Sequence, residues 1–327
     1  MHSVLLLGAG FSRNWGGWLA TECFEYLLGC PQVDPELRDL LWNHRRTDGF
    51  EGALADLQKE HFKKKDTRSE QRLRKLQDAI MQMFGDMEKA FARVKFEFQN
   101  DLEFLVRSFL VRFDAIFALN QDLLMERYYL DGNVALSSYR RWSGWEIPGM
   151  KPVLGIGMGL VDTNTGRWVP DPSAQIIDGN RQPYIKLHGS SNWTDESGKE
   201  LLVMGGDKLS IIDQFPILKW NHERFKEYLS RPSTRLMVVG YSFGDLHINQ
   251  TIRDAADTGN LQIFIMDPLG VDVIADNWRA NPPGGNPPGL PLLNHLERYL
   301  IGASRRSLRE IFGGDRVEHA KVMRFFG

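Results

Sequence analysis

Val4-Leu5-Leu6-Leu7-Gly8-Ala9-Gly10-Phe11-Ser12 is the stretch on which the reading of this chain turns. Four consecutive apolar residues make a short buried strand. A Gly-Ala-Gly turn stops it, and a polar residue, Ser12, follows where a helix could begin. Strand, glycine turn and helix start are how an α/β sheet offers backbone N–H groups to a pyrophosphate. Glycine lets the main chain come close, and a helix N-terminus carries about half a positive charge. Gly-x-Gly alone is a weak signal, because the usual dinucleotide pattern has a third glycine three residues on, and position 13 is Arg. A tight turn between a strand and a helix would use the same residues.

Further along, residues 16–112 are mostly helical in pattern, with helices at 19–28, two over 34–62 parted at Thr47-Asp48-Gly49, and another over 73–98. In the last of these, apolar residues at 73, 76, 80, 83, 87, 91, 94 and 98 share one face, which must be buried, either on the domain or at a subunit contact. This is too much for one crossover, so it reads as a helical subdomain inserted after the first strand. Strands follow at 114–119, 184–187, 235–239 and 262–266, with strand-like pieces at 153–156, 166–169 and 175–177. Gly155, Gly157 and Gly159 alternate with no helix behind them, a hairpin pattern rather than a phosphate loop. Residues 1–276 thus form the main domain. Residues 277–327 read as a Pro/Gly-rich linker (281–290) and amphipathic helices suited to self-association or a partner. The fold class expected is α/β: a Rossmann-like parallel sheet with helices on both faces.

The totals remove several function classes. A net charge of −2 gives no electrostatic reason to expect nucleic acid or an anionic membrane, and no apolar run approaches a bilayer span. Cys23 and Cys30 are the only cysteines, too few for a Cys-x-x-Cys zinc module. With the first strand close to Met1 and no leader pattern, a reducing cytoplasm is the expected compartment. No Gly-Lys-Ser/Thr phosphate loop is present, which argues against a P-loop ATPase.

Five strands end in small or polar residues: Gly8-Ala9-Gly10, Asn120-Gln121-Asp122, His188-Gly189, Gly240-Tyr241-Ser242 and Asp267. Ligands of an open parallel sheet bind beyond the carboxyl ends of its strands, so one sheet would gather all five sets at a common crevice. Asp245 and His247 read as a helix cap and local packing, and His222 has no assignable role.

Taken in order, Gly-Ala-Gly-Phe-Ser, Asn-Gln-Asp after an apolar strand, Lys-Leu-His-Gly-Ser and Gly-Tyr-Ser-Phe-Gly-Asp-Leu-His-Ile-Asn resemble the sirtuin superfamily. They are most similar to the bacterial sirtuin-like domains of antiphage defence systems. The matched motifs run from residue 4 to about 267, and the tail is not covered. The resemblance implies NAD as a consumed substrate. Gly8, Ala9, Gly10, Phe11 and Ser12 would hold its pyrophosphate and adjoining sugar. Gly189, Gly240 and Ser242 would contact it further along, the last two beside the adenosine, and Asp267 would accept from the adenosine ribose. Asn120 would hold the nicotinamide ribose or the attacking water, Asp122 would face the nicotinamide carboxamide, and His188 would be the catalytic histidine. Two departures from the deacylating sirtuins stand out. The four-cysteine zinc module cannot be built, and Arg13-Asn14-Trp15-Gly16-Gly17-Trp18 replaces their Ile-Pro-x-Phe-Arg-like stretch.

The chemistry agrees with this inventory. Nicotinamide leaves from a cationic bond as a neutral molecule, so positioning and a shielded pocket carry the reaction, and a histidine can take the proton of the attacking water. No metal is expected. The activity implied is an NAD glycohydrolase yielding nicotinamide and ADP-ribose, a defence effector held off in healthy cells by oligomerisation or by a partner such as a HerA-type ATPase. Protein deacylation, ADP-ribosyl transfer and a non-catalytic NAD- or ADP-ribose-binding subunit are the alternatives.

Overall fold

Val4, Leu5, Leu6 and Leu7 are all fully buried, so the strand that carries them can only lie inside a sheet covered on both faces. In a computed structural model, residues 1–130, 141–154, 159–206, 208–259, 261–275 and 292–327 are described. The strands are β1 (His2–Leu7), β2 (Ala115–Ala118), β3 (Gly144–Glu146), β4 (Met150–Pro152), β5 (Trp168–Pro170), β6 (Arg181–Lys186), β7 (Gly189–Thr194), β8 (Glu200–Leu202), β9 (Thr234–Val239), β10 (Leu261–Met266) and β11 (Leu300–Ser304). Seven make one sheet in the order β11-β10-β9-β1-β2-β6-β3, and every neighbouring pair in it runs parallel. The remaining four form a small sheet, β4-β5-β7-β8.

Helices cover both faces. Between β1 and β2 lie α1 (Ala9–Arg13), α2 (Ala20–Leu28), α3 (Pro35–His44), α4 (Gly49–Lys64), α5 (Thr67–Phe91) and α6 (Val106–Leu110). After β2 come α7 (Leu124–Tyr128), α8 (Leu160–Thr165), α9 (Lys208–Gln214), α10 (Pro216–Leu229), α11 (Leu246–Asp257), α12 (Asp272–Ala275), α13 (Leu292–Leu296), α14 (Leu308–Gly313) and α15 (Arg316–Met323). Period-two alternation splits β1 between two cores. Val4 and Leu6 meet Phe225 of α10 and Ile248 and Ile252 of α11. Leu5 and Leu7 share the other core with Phe109 of α6 and Ile311 and Phe312 of α14. At roughly 1.5–3 kcal/mol per buried large aliphatic side chain, these two layers are the main stabilising force on the sheet.

Helices α2–α5 form the expected insertion, with a third core of their own that includes Leu27, Leu41, Leu57, Leu76 and Ile80. Helix α5 starts earlier than the apolar spacing alone predicts, because Asp66 caps it by accepting from the Ser69 N–H at 2.7 Å. It passes through Gly85 unbroken and ends at Phe91. Val94 and Phe98 lie beyond its end, and the turn that carries them stacks Phe96 and Phe98 on Trp15. The stripe Leu76, Ile80, Met83, Met87, Phe91 is buried inside this chain, so packing on the domain accounts for it without a second subunit.

The C-terminal stretch departs from expectation. It contains a strand, β11, that pairs with β10 and extends the main sheet, and α14 and α15 pack their apolar residues into the sheet's own core. The linker at 281–290, and Gly155 and Gly157 of the alternating glycines, lie outside the described residues. Residues 175–177 form no strand, and the described part of 153–156 lies just past β4.

Candidate active site

Strand order reverses direction between β1 and β9: from β1 the chain moves outward through β2, and from β9 outward the other way through β10. Crevices open at such a point, beyond the carboxyl ends of the strands. A cavity of about 580 Å3 opens there. Gly8, Ala9, Gly10, Asn120, Asp122, His188, Gly240, Ser242 and Asp267 all line it, so residues predicted from five separate strand ends do converge. Trp18 and Leu19, Phe50 of α4, and Met83, Phe84 and Met87 of α5 supply an apolar wall from the insertion.

The glycines are needed for a reason other than the one expected from the turn. A Cβ on Gly8 would sit 2.5 Å from the Gly240 carbonyl oxygen, one on Gly10 2.6 Å from the Gly240 Cα, and one on Gly240 2.4 Å from the Gly10 carbonyl carbon. The close approach is between the two turns themselves. Gly8 N–H donates to the Val239 carbonyl and Gly10 N–H to the Gly240 carbonyl, at 3.0 and 2.9 Å, so both amides are committed within the protein. The helix behind the turn runs only from Ala9 to Arg13, placing Ser12 inside it and not at its start.

Three predicted contacts, Phe11, Ser12 and Gly189, do not line the cavity. Phe11 is fully buried in the core, its ring 5.1 Å from that of Trp15. Gly189 opens β7 with φ of +72°, and a Cβ there would lie 1.7 Å from the Leu201 carbonyl oxygen. Ser12, also buried, acts through its neighbours: its hydroxyl accepts from Asn120 Nδ2 at 2.9 Å and hydrogen-bonds Asp122. That leaves Asn120 Oδ1 buried without a partner, at the cavity wall. Unmet buried acceptors are costly, which makes this oxygen a candidate hydrogen-bond acceptor for a ligand. Burial pushes the Asp122 carboxyl up, while Lys186 and the hydrogen bond from Ser12 oppose the shift.

Beneath Asp122 lies a fully buried ion pair that no sequence pattern flagged. Lys186 Nζ is 2.5 Å from Glu126 Oε1 and donates to the Asp122 carbonyl and Ser190 Oγ, both at 2.7 Å. Asn14 was likewise missed. Its amide donates to the Gly10 and Phe11 carbonyls, and its Oδ1 accepts from Leu308 N–H at 3.0 Å, tying the glycine turn to α14.

His188 does not stand alone. Its Nε2 lies 3.1 Å from His247 Nε2, and the His222 ring is 5.3 Å from that of His247. His222 Nε2 donates to the Leu187 carbonyl at 2.9 Å. Burial lowers the pKa of all three, strongly for His188 and to about 4 for His222, so they are neutral at pH 7. Asp245 occupies the N-cap position of α11, but its side chain makes no capping bond and turns to Lys208 Nζ at 2.7 Å. Lys208 also meets Glu51 of α4 at 2.9 Å. Burial works against ionisation, but the Lys208 ammonium, by charge and by hydrogen bond, holds the Asp245 carboxyl well below its usual range. His188, Asp245 and His247 bring ligand-type atoms within 4.8 Å of one another, the spacing of a metal-ligand set. The positive charge that Asp245 meets is the Lys208 ammonium, and we read the trio as a lysine-compensated hydrogen-bond cluster.

An open parallel α/β sheet with a glycine-lined crevice at its switch point, carrying an amide and a histidine at one end and Asp267 among its walls, has the Rossmann-like architecture in which ligands bind beyond the carboxyl ends of the strands. A SIR2-like domain model matches residues 114–280, which supply Asn120, Asp122, His188, Gly240, Ser242 and Asp267. The chain belongs to this SIR2-like family, within the sirtuin-like superfamily, whose domains use NAD. No curated protein matches the chain. Among the described residues no helix is long and apolar enough to cross a membrane.

Proposed function

We propose that the protein is an NAD+ glycohydrolase releasing nicotinamide and ADP-ribose. The observation that carries this reading is the meeting of Asn120 and His188 in one shielded cavity at the sheet's switch point. Gly8–Gly10, Gly240, Ser242 and Asp267 line the length needed for the rest of the dinucleotide. NAD+ supplies a glycosidic bond whose leaving group departs neutral. Asn120, fixed through Ser12, orients a water with its free Oδ1, and His188, neutral at pH 7, accepts that water's proton.

Water is favoured as acceptor over an acyl-lysine peptide by the placement of the two cysteines. Both are buried thiols, Cys23 in α2 and Cys30 just beyond it in the insertion's core, so no four-cysteine module can frame a peptide groove. We place the activity in bacterial antiphage defence, by NAD depletion in the cytoplasm, with self-association or a HerA-type ATPase controlling access. Incubation of the purified protein with NAD+, alone and with candidate partners, should release nicotinamide and ADP-ribose in equal amounts. Asn120→Ala and His188→Ala should each lose at least 100-fold in turnover. Full activity in either variant, or nicotinamide only in the presence of an acylated peptide, would sink the assignment.

A further inference from the structure

A histidine serves as a base only through a nitrogen that carries no proton, and a neutral imidazole has one such nitrogen. The contact between His188 Nε2 and His247 Nε2, at 3.1 Å, needs one ring to donate and the other to accept. If His247 donated, the Nε2 lone pair of His188 would be occupied and its Nδ1 protonated, leaving His188 unable to accept a proton. If His188 donates, its Nδ1 is free. The base role therefore selects one direction for this hydrogen bond.

We propose that His247 is the positioning residue for His188: it accepts from Nε2–H and so fixes the tautomer in which His188 is a base. The inference rests on the hydrolase reading given above. Three further observations support it. His247 approaches from α11 and lines a second cavity, of about 490 Å3, which His188 does not line, so its ring stands behind the base and not in the substrate's place. Its position is held by the turn before it, where Tyr241 Oη receives the Asp245 N–H at 3.0 Å and Asn249 Nδ2 donates to the Phe243 carbonyl at 2.7 Å. Lastly, a neutral acceptor adds no charge at His188. The nearby carboxylate, Asp245, is engaged by Lys208. When His188 takes the water's proton on Nδ1, the resulting cation keeps its bond to His247, so the positive charge develops against an acceptor already in place.

The test uses the whole chain. With 15N-labelled histidine and no substrate, His188 should show the Nε2–H tautomer and a coupling across to His247 Nε2. His247→Phe should abolish the coupling and mix the tautomers. In turnover, His247→Phe should lower kcat at least 10-fold with KM for NAD+ changed less than 2-fold, and His247→Gln, which retains an acceptor, should recover most of the loss. An unchanged thermal midpoint in both variants separates positioning from damage. An Nδ1–H tautomer at His188 in the native protein, or wild-type kcat in His247→Phe, overturns the proposal. Absence of nicotinamide in every sample, with the coupling intact, overturns the hydrolase reading and the role with it, whereas absence of the coupling alone overturns only the role.

Discussion

Gly240 has φ of +62°, and a methyl group there would press on the backbone of Gly10. Left-handed backbone costs an alanine about 1–2 kcal/mol, and neither strand can retreat without breaking its ladder. Gly240→Ala should therefore destabilise by at least about 3 kcal/mol, measured by urea denaturation. A loss under 1 kcal/mol would mean that the two turns have room to part. Lys186 poses the opposite problem, a buried charge whose partner cannot be rehydrated. Lys186→Met should cost about 3–5 kcal/mol by stranding Glu126, and adding Glu126→Leu should recover most of it, a pattern a thermal-melt cycle resolves. His222 sets a pH dependence. Its pKa falls from about 6.5 unfolded to about 4 folded, so between those values only the unfolded chain takes up the proton. Its contribution is complete above about pH 6.5 and is lost as pH falls towards 4, by at most about 1.4 kcal/mol per pH unit. His188 and His247, shifted the same way, add to the slope. Denaturation midpoints at pH 7.5 and 5 should differ less in His222→Asn than in the native protein; equal differences would refute the assignment. Asn120 and His188 were legible from sequence because strand ends converge by rule. The cluster of Glu51, Lys208 and Asp245 was not, since three distant segments meet there with no spacing in common.

Among the elements, apolar runs and periodic stripes were enough to identify β1, β2, β6, β9 and β10, and helices α2 to α5. They failed in the C-terminal stretch. Leu300-Ile301-Gly302-Ala303-Ser304 has neither a long apolar run nor strict alternation, and it becomes a strand because β10 offers it an unpaired edge. Gly302 is required there, as a Cβ would come 2.7 Å from the Phe264 ring. Helices α14 and α15 then cover Phe264 and the neighbouring aromatics of the core. The tail is thus the last layer of the sheet, and Arg306, Ser307 and Leu308 line the crevice at the strand ends. Truncation after Tyr299 should yield aggregated chain and not a trimmed enzyme. Soluble protein with native circular dichroism would contradict this. Self-association of the intact chain would have to use other surfaces than the buried faces of α5, α14 and α15.

Across the whole molecule, the cavity is shared between the sheet and the insertion, and the Lys208 contacts to Glu51 and Asp245 join the two. Lys208→Ala leaves two carboxylates facing each other. It should speed hydrogen exchange in α4 while leaving the β1 and β9 amides protected; unchanged exchange in α4 would show that apolar packing alone holds the insertion down. The architecture was readable from sequence because a parallel sheet buries its strands so completely that they appear as apolar runs. The division into a main domain and a helical tail was less so, because a strand admitted at an edge needs no pattern of its own. The interlock of Gly8, Gly10 and Gly240 also bears on how the chain is made. On a ribosome adding roughly 5–20 residues each second, β1 emerges well before the turn that locks it, which follows about 230 residues later. For roughly 10–50 s the nascent chain therefore carries Val4–Leu7 unpaired on that side, an apolar strand edge exposed until β9 arrives.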